Sequence, residues 1–205
     1  MKTKSAARRQ AILDIAEQMF GEAGFERTSM SEICARVGGS KATLYNYFPS
    51  KEVLFFEVMD RITEAEFAAA HRAIDPASED IAASLRHFGE SLLGFLYSPG
   101  IRTQRHLAIA ESGRTELGRL AYERGVLRSQ NLMSDFLRAA MASGKLRQAD
   151  PDVMTRQLYA LLEAELIDRF LFQLLGEVGT EEIRALTARA VEVFMAAYGP
   201  PARLS

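Results

Sequence analysis

The stretch Ser40-Lys41-Ala42-Thr43-Leu44-Tyr45-Asn46-Tyr47-Phe48-Pro49-Ser50-Lys51 narrows most what this chain can become. Ser40 offers a side-chain oxygen to cap a helix. Pro49 cannot continue that helix and turns Phe48 away from the helical region. Between them, Leu44 and Phe48 are four residues apart and share a helix face. Lys41, Thr43, Asn46 and Tyr47 spread over the remaining surface. An apolar anchor opposite hydroxyls, an amide and a cation is what a base edge or a phosphate asks for. Just upstream, Ser29-Met30-Ser31-Glu32 has capping-box spacing and opens a helix through Ile33, Cys34 and Val37, which Gly38-Gly39 stops. Two short helices joined by a tight glycine-containing turn make a helix-turn-helix, whose second helix enters the major groove. Small helical domains of other kinds contain such turns too, so spacing alone leaves both readings open.

The residues from Phe25 to Phe55 resemble the DNA-binding region of the TetR family of transcriptional regulators. Gly24-Phe25, Thr28-Ser29, Ile33-Cys34, Gly38, the run Ser40 to Phe48 and Ser50-Lys51-Glu52 carry the likeness. Gly39 departs from it, standing where the family usually has Val or another apolar residue, which implies a looser turn. Cys34 replaces the usual Ala and reads as a small buried hydrophobe. The resemblance implies phosphate contacts from Thr28, Ser29, Tyr45, Tyr47 and Lys51. It implies base contacts from Ser40, Lys41, Ala42, Thr43 and Asn46. Hydroxyls and a lysine near helix starts suit phosphate oxygens, and Asn can pair with two edges of adenine. Core packing is the competing role for Tyr45 and Tyr47. For Arg8 and Arg9 a flexible phosphate grip and a solvated tail are equally open.

Net charge is −2 overall, yet the first fifty residues carry +2 and the remainder therefore −4, which suits a DNA-facing end and a body that DNA does not touch. The single Cys rules out an intrachain disulfide and suits a reducing compartment. No apolar run follows the basic start, and Leu158–Leu175 carries four charged residues, so neither a signal peptide nor a membrane span is expected. The expected location is the cytoplasm.

Along the chain, caps and period read as about nine helices, and no strand run competes. Ile12, Ile15, Ala16, Met19 and Phe20 stripe the first helix. The fourth opens at Ser50 and stops at Asp75-Pro76. In the fifth, Ile81, Leu85, Phe88, Leu92 and Phe95 form one buried face. Later helices are read over Ile101–Ser112, from Thr115 to Gly144, from the Asp150-Pro151 cap to Gly176, and from Thr180 to Gly199. The fold expected is all-α. A helix-turn-helix domain over 1–50, three helices, would join a helical ligand-binding and dimerisation domain over 51–205. The body's run from His106 to Glu111, with Glu116-Leu117 and Tyr122-Glu123-Arg124-Gly125, is loosely similar to AcrR-like C-terminal domains in the same family.

The helix over 153–175 is apolar nearly all round, as a helix buried from two sides would be. With the stripe on the last helix, this nominates a four-helix homodimer interface of Leu158, Leu162, Ile167, Phe170, Leu174, Ile183, Leu186, Ala190, Val193 and Phe194. Intramolecular core is the other reading of both faces. Glu165 falls within an apolar sector and needs a partner; Arg169, one turn on, is the candidate, with a cationic-ligand site as the sharper option. Phe67, Phe88, Leu92, Phe95, His106, Ile109 and Tyr122 come from four helices and would suit a pocket for a small apolar or aromatic compound, or else ordinary core. His87 and Glu90 have a spacing able to bind metal, but a solvated face explains them as well, and no metal or other cofactor is expected. No catalytic constellation stands out, so an enzyme is not expected.

The expected function is that of a dimeric regulator, a repressor released from a near-palindromic double-stranded DNA operator by a small effector. The rival is a DNA-binding architectural or partner-binding protein without a small ligand.

Overall fold

The computed structural model describes residues 2–72, 74–75 and 78–200. The helices are α1 (Lys2–Ala23), α2 (Met30–Val37), α3 (Lys41–Tyr47), α4 (Lys51–Arg72), α5 (Ile81–Leu96), α6 (Pro99–Glu111), α7 (Leu117–Ala121), α8 (Arg128–Ala142), α9 (Pro151–Glu163), α10 (Ile167–Leu171) and α11 (Thr180–Tyr198). A π-helical segment, Tyr122–Leu127, joins α7 to α8. No β-strand occurs among the described residues. The nine runs read from sequence are present, but two are interrupted. The first interruption is the π turn. The second lies at residues 164–166, where the amides of Ala164 and Leu166 reach back only three residues, to Leu161 and Glu163. No proline or glycine marks this break; it accompanies full burial of Leu166 and Phe170. Pro76, expected to help stop the fourth helix, lies outside the described residues.

Two compact units make up the chain. The first comprises Met1–Glu64 and Thr103–Ala121, and the second Ala65–Arg102 and Tyr122–Ser205. The first unit thus extends past the 1–50 stretch expected from sequence. Its core gathers Ile12, Ala16, Phe20, Ile33, Leu44, Phe48 and Leu54. Phe20 meets Phe55 edge-on at 5.2 Å between ring centroids. Arg61 pairs with Asp14 and with Glu17, and Arg9 with Glu57 at 2.8 Å, fastening α4 to α1. Residues 103–121 join because Ala108 and Leu117 bury against Phe56, while Gln104 donates to the Phe56 carbonyl at 3.3 Å.

In the second unit α11 packs on α5 and α9, and α8 packs on α9. Phe88, Leu92, Met133, Leu158, Phe170 and Phe194 are among the residues of its core. Gly89 permits a close approach between helices: a Cβ there would lie 2.6 Å from Thr187 Cγ2 and 2.7 Å from Leu162 Cδ2. Asp150 caps α9 ahead of Pro151, accepting from the amides of Asp152 and Val153.

Candidate functional site

The reading helix is set by local hydrogen bonds. Ser29 Oγ accepts from the Glu32 amide at 3.2 Å, and the Glu32 carboxylate accepts from the Ser29 amide at 2.9 Å, a complete capping box. The Ser29 hydroxyl, and after it the Ser29 amide, hold the exposed Glu32 carboxyl below its usual range. Ser40 caps α3 by accepting from the Thr43 amide at 3.1 Å. Leu44 and Phe48 are buried in the unit core. The opposite face is therefore presented outward: Ser40, Lys41, Ala42, Tyr45 and Asn46 are exposed and Thr43 half-buried.

Other members of the expected interface are already engaged. Thr28 is only 3 % exposed, and its hydroxyl donates to the Gly24 carbonyl at 2.8 Å and toward that of Met19. Lys51 donates to the Phe25 carbonyl at 2.9 Å and sits 4.1 Å above the Phe25 ring. Tyr47 is half-buried, its hydroxyl 3.3 Å from Ser5 Oγ.

The glycine turn is held from outside. Gly38 and Gly39 adopt φ of +74° and +99°, conformations that side-chain-bearing residues rarely tolerate. Arg8 donates to the Val37 and Gly38 carbonyls, and a Cβ on Gly39 would fall 2.7 Å from its guanidinium. The looser turn implied by Gly39 is thus braced by Arg8. Arg9, beyond its ion pair, stacks 5.1 Å over Phe48. In place of a phosphate grip or a solvated tail, both arginines have structural partners. Cys34 is buried, with its sulfur 3.6 Å from the Gly39 carbonyl.

In the second unit, four of the expected effector residues lie in or beside the core: Phe67, Phe88 and Leu92 are buried, and Phe95 meets Phe67 edge-on at 6.2 Å. Tyr122 belongs to the same unit but is exposed at the start of the π turn. His106 and Ile109 belong to the first unit, where Ile109 is 50 % exposed. Three further residues that sequence reasoning did not select join the aromatic group. His71 stacks on Phe67 at 4.3 Å and meets Phe88 at 5.4 Å, and Tyr159 lies 6.0 Å from Phe88. Ser129 links His71 Nε2 at 2.7 Å to the Tyr159 hydroxyl at 2.5 Å. His71 one turn after Phe67 was a usable signal; nothing in the sequence ties Ser129 to Tyr159.

Most of the expected dimer residues serve the unit's own core. Leu158, Leu162, Phe170, Ile183, Leu186, Ala190 and Phe194 are buried, and Ile167 packs half-buried against them. Leu174 and Val193 face out, joined by Leu171 and Phe172; Phe172 and Leu174 are each 75 % exposed. Glu165 corrects the reading of a carboxylate within an apolar sector. It is exposed and accepts a bidentate pair from Arg189 at 2.9 and 2.8 Å, which holds its carboxyl low, while Arg169 pairs instead with Glu182 at 3.0 Å. His87 is exposed, and no group of three metal-ligating side chains occurs among the described residues. No helix among them is long and apolar enough to cross a membrane.

A helix-turn-helix with a capped, polar reading helix, in a chain whose remainder is α-helical, defines a helix-turn-helix regulator. Residues 12–58 match the family model described as bacterial regulatory proteins, tetR family, and residues 83–200 match that of the AefR-like transcriptional repressor C-terminal domain. The latter alone spans more than half the chain, and the chain belongs to the TetR family. Among curated relatives, the HTH-type transcriptional repressor ComR of Escherichia coli K12 is 42 % identical over 65 residues, 32 % of this chain and 30 % of that protein. The match thus spans under a third of that relative's length. A TetR-family regulator from Mesorhizobium loti is 26 % identical with a TM-score of 0.79, covering 95 % of this chain and 98 % of that one. The flavonoid-responsive regulator FrrA is 30 % identical with a TM-score of 0.70, covering 96 % and 100 %.

Proposed function

We propose that this chain is a dimeric repressor that holds a near-palindromic operator through α3 and leaves it when a small aromatic effector binds the body. The outward polar face of α3, anchored by Leu44 and Phe48, carries the DNA half of this reading. Tyr45 meets a phosphate there, and Lys41 and Asn46 read base edges. Two such helices need a spacing of roughly 34–36 Å, or a multiple of one turn, to enter successive major grooves on one face of the duplex. A second copy supplies it, docking on the exposed Leu171, Phe172, Leu174 and Val193, a surface too apolar to favour water. The effector half rests on the aromatic cluster around Phe67 and Phe88 and on the likeness to a regulator whose name records a response to flavonoids.

The test uses DNA sites selected from a random library. Asn46→Ala should weaken binding to the selected site by about 5- to 150-fold, the worth of one bidentate base contact, and leave random DNA unaffected. Equal loss on both would remove Asn46 from base reading. Sedimentation at micromolar concentration should show a dimer; a folded monomer there defeats the dimeric half. Aromatic compounds should raise thermal stability and lower operator affinity together. Selective DNA binding with a body that takes no compound would instead favour the architectural or partner-binding role.

A further inference from the structure

The polar groups buried in the second unit form a chain with a fixed direction. His71 Nδ1 lies 2.8 Å from the Phe67 carbonyl, which can only accept, so Nδ1 carries the proton. Burial lowers the pKa of His71 and the Arg128 cation pushes the same way, against the opposing pull of the Phe67 carbonyl, so the ring is neutral near pH 7. Nε2 then offers a lone pair, which the Ser129 hydroxyl fills at 2.7 Å. With its only proton used, Ser129 Oγ accepts from the Tyr159 hydroxyl at 2.5 Å. Burial drives the Tyr159 pKa far upward, so the phenol keeps the proton it donates. Every proton of the relay is thereby assigned. At its end the Tyr159 oxygen has a lone pair to offer and no proton to give, and no donor to it is found among the described residues.

Tyr159 is half-buried among aromatic rings, with the Glu163 carboxylate near enough to raise its pKa further. Phe88 lies at 6.0 Å from the Tyr159 ring, Phe67 stacks on His71, and Arg128 lies 4.3 Å over the Phe67 ring. Ser129 and Arg128 open α8 directly after the π turn, a segment with no buried residue. π turns inside helices recur at functional sites because one residue is out of register with its neighbours. Here the turn places Arg128 and Ser129 beside a stretch with no buried residue.

From this arrangement we infer that Tyr159, oriented by Ser129 and His71, is the hydrogen-bond acceptor that selects a neutral aromatic effector bearing a hydroxyl, a phenol. The effector's aromatic body lies against the partly exposed Tyr159 ring, and its O–H donates to Tyr159 Oη. A ring of the same shape with only an acceptor oxygen meets a lone pair facing a lone pair. This inference rests on the effector-responsive reading above and adds the chemical class of the effector.

The test compares 4-phenylphenol with 4-methoxybiphenyl on the full chain, by calorimetry at pH 7.5 and by release from the selected DNA site. The wild-type protein should bind the phenol about tenfold more tightly than the ether, the worth of one hydrogen bond to an otherwise unfilled acceptor. Tyr159→Phe should erase the discrimination by weakening the phenol alone. Ser129→Ala frees the Tyr159 proton to turn outward and should narrow the discrimination by strengthening the ether; it is the second variant should Tyr159→Phe fail to give a cooperative thermal melt. Equal binding of both compounds to the wild-type protein, with release of DNA, overturns the relay's role and leaves the effector-responsive reading standing. Discrimination that survives both variants overturns it in the same way. Binding of neither compound overturns this inference and with it the aromatic effector.

Discussion

In the reading unit, Ser29 and Ser40 bond to groups three residues away and are themselves exposed. In the body, Ser129 bonds to His71 and Tyr159, at separations of 58 and 30 residues, among aromatic rings. Both sets of hydroxyls are satisfied, but at different levels of organisation. The first set shapes a helix end and leaves the neighbouring side chains free for an external partner. The second exists only once α4, α8 and α9 are packed, so its geometry reports on the state of the body. A surface meant to read DNA has to be preformed, and local caps do that cheaply. The proposed effector response would gain from such long-range bonds, because a ligand can act on them only through a difference between two packings.

Core truncation should break this contrast most strongly. Phe88 is fully buried and touches His71 and Tyr159, so Phe88→Ala should cost about 3–5 kcal/mol in denaturant unfolding. Hydrogen exchange should show the loss in the second unit, with α2 and α3 retaining their protection. Equal loss of protection in α2 and α3 would mean that the units do not unfold separately. Removing a cap is the milder counterpart. Ser40→Ala should cost about 1 kcal/mol, show as fraying of α3, and weaken binding to the selected DNA site while the body's melting is unchanged.

Acid should separate the units with the gentlest effect. The folded pKa of His71 lies below its ordinary value of 6.5, chiefly through burial, so the unfolded chain takes up the proton more readily. Stability contributed there is complete above 6.5 and is lost as pH falls from that value toward the folded pKa. In the first unit the shifted groups that titrate in acid are carboxyls: Asp14 is held low by Arg61, Glu22 by Gln18 and Arg36, and Glu32 by Ser29. What they contribute is present above the ordinary carboxyl range and is lost only as pH falls through their lowered values. Between pH 7 and 5, exchange protection should therefore fall in the second unit and hold in the first. His71→Gln should flatten the response of the second unit.

Much of this molecule was decided within short windows of sequence. The capping box at Ser29–Glu32, the Ser40 cap, the Asp150-Pro151 start and the paired apolar anchors Leu44 and Phe48 were all legible, because each depends on residues three or four apart. The end of α8 was legible for the same reason. Gly144 takes a φ of +74° and the Lys145 amide returns to the Ala140 carbonyl at 3.0 Å, the closing turn for which glycine is suited. The end of α10 uses the same turn with no glycine. Gln173 takes a φ of +56° and the Leu174 amide returns to the Arg169 carbonyl at 2.8 Å, at a backbone cost of roughly 1–2 kcal/mol. Burial of Leu175, and Arg102 bonding to the Leu175 and Gly176 carbonyls, hold the chain there. Arg8 across the glycine turn, Arg189 rather than Arg169 opposite Glu165, and the His71–Ser129–Tyr159 relay belong to the same class. Side-chain period and caps determined which segments are helical and which face of α3 is offered. The partners of buried and bridging polar groups were chosen by packing, because they lie tens of residues apart and no local preference connects them.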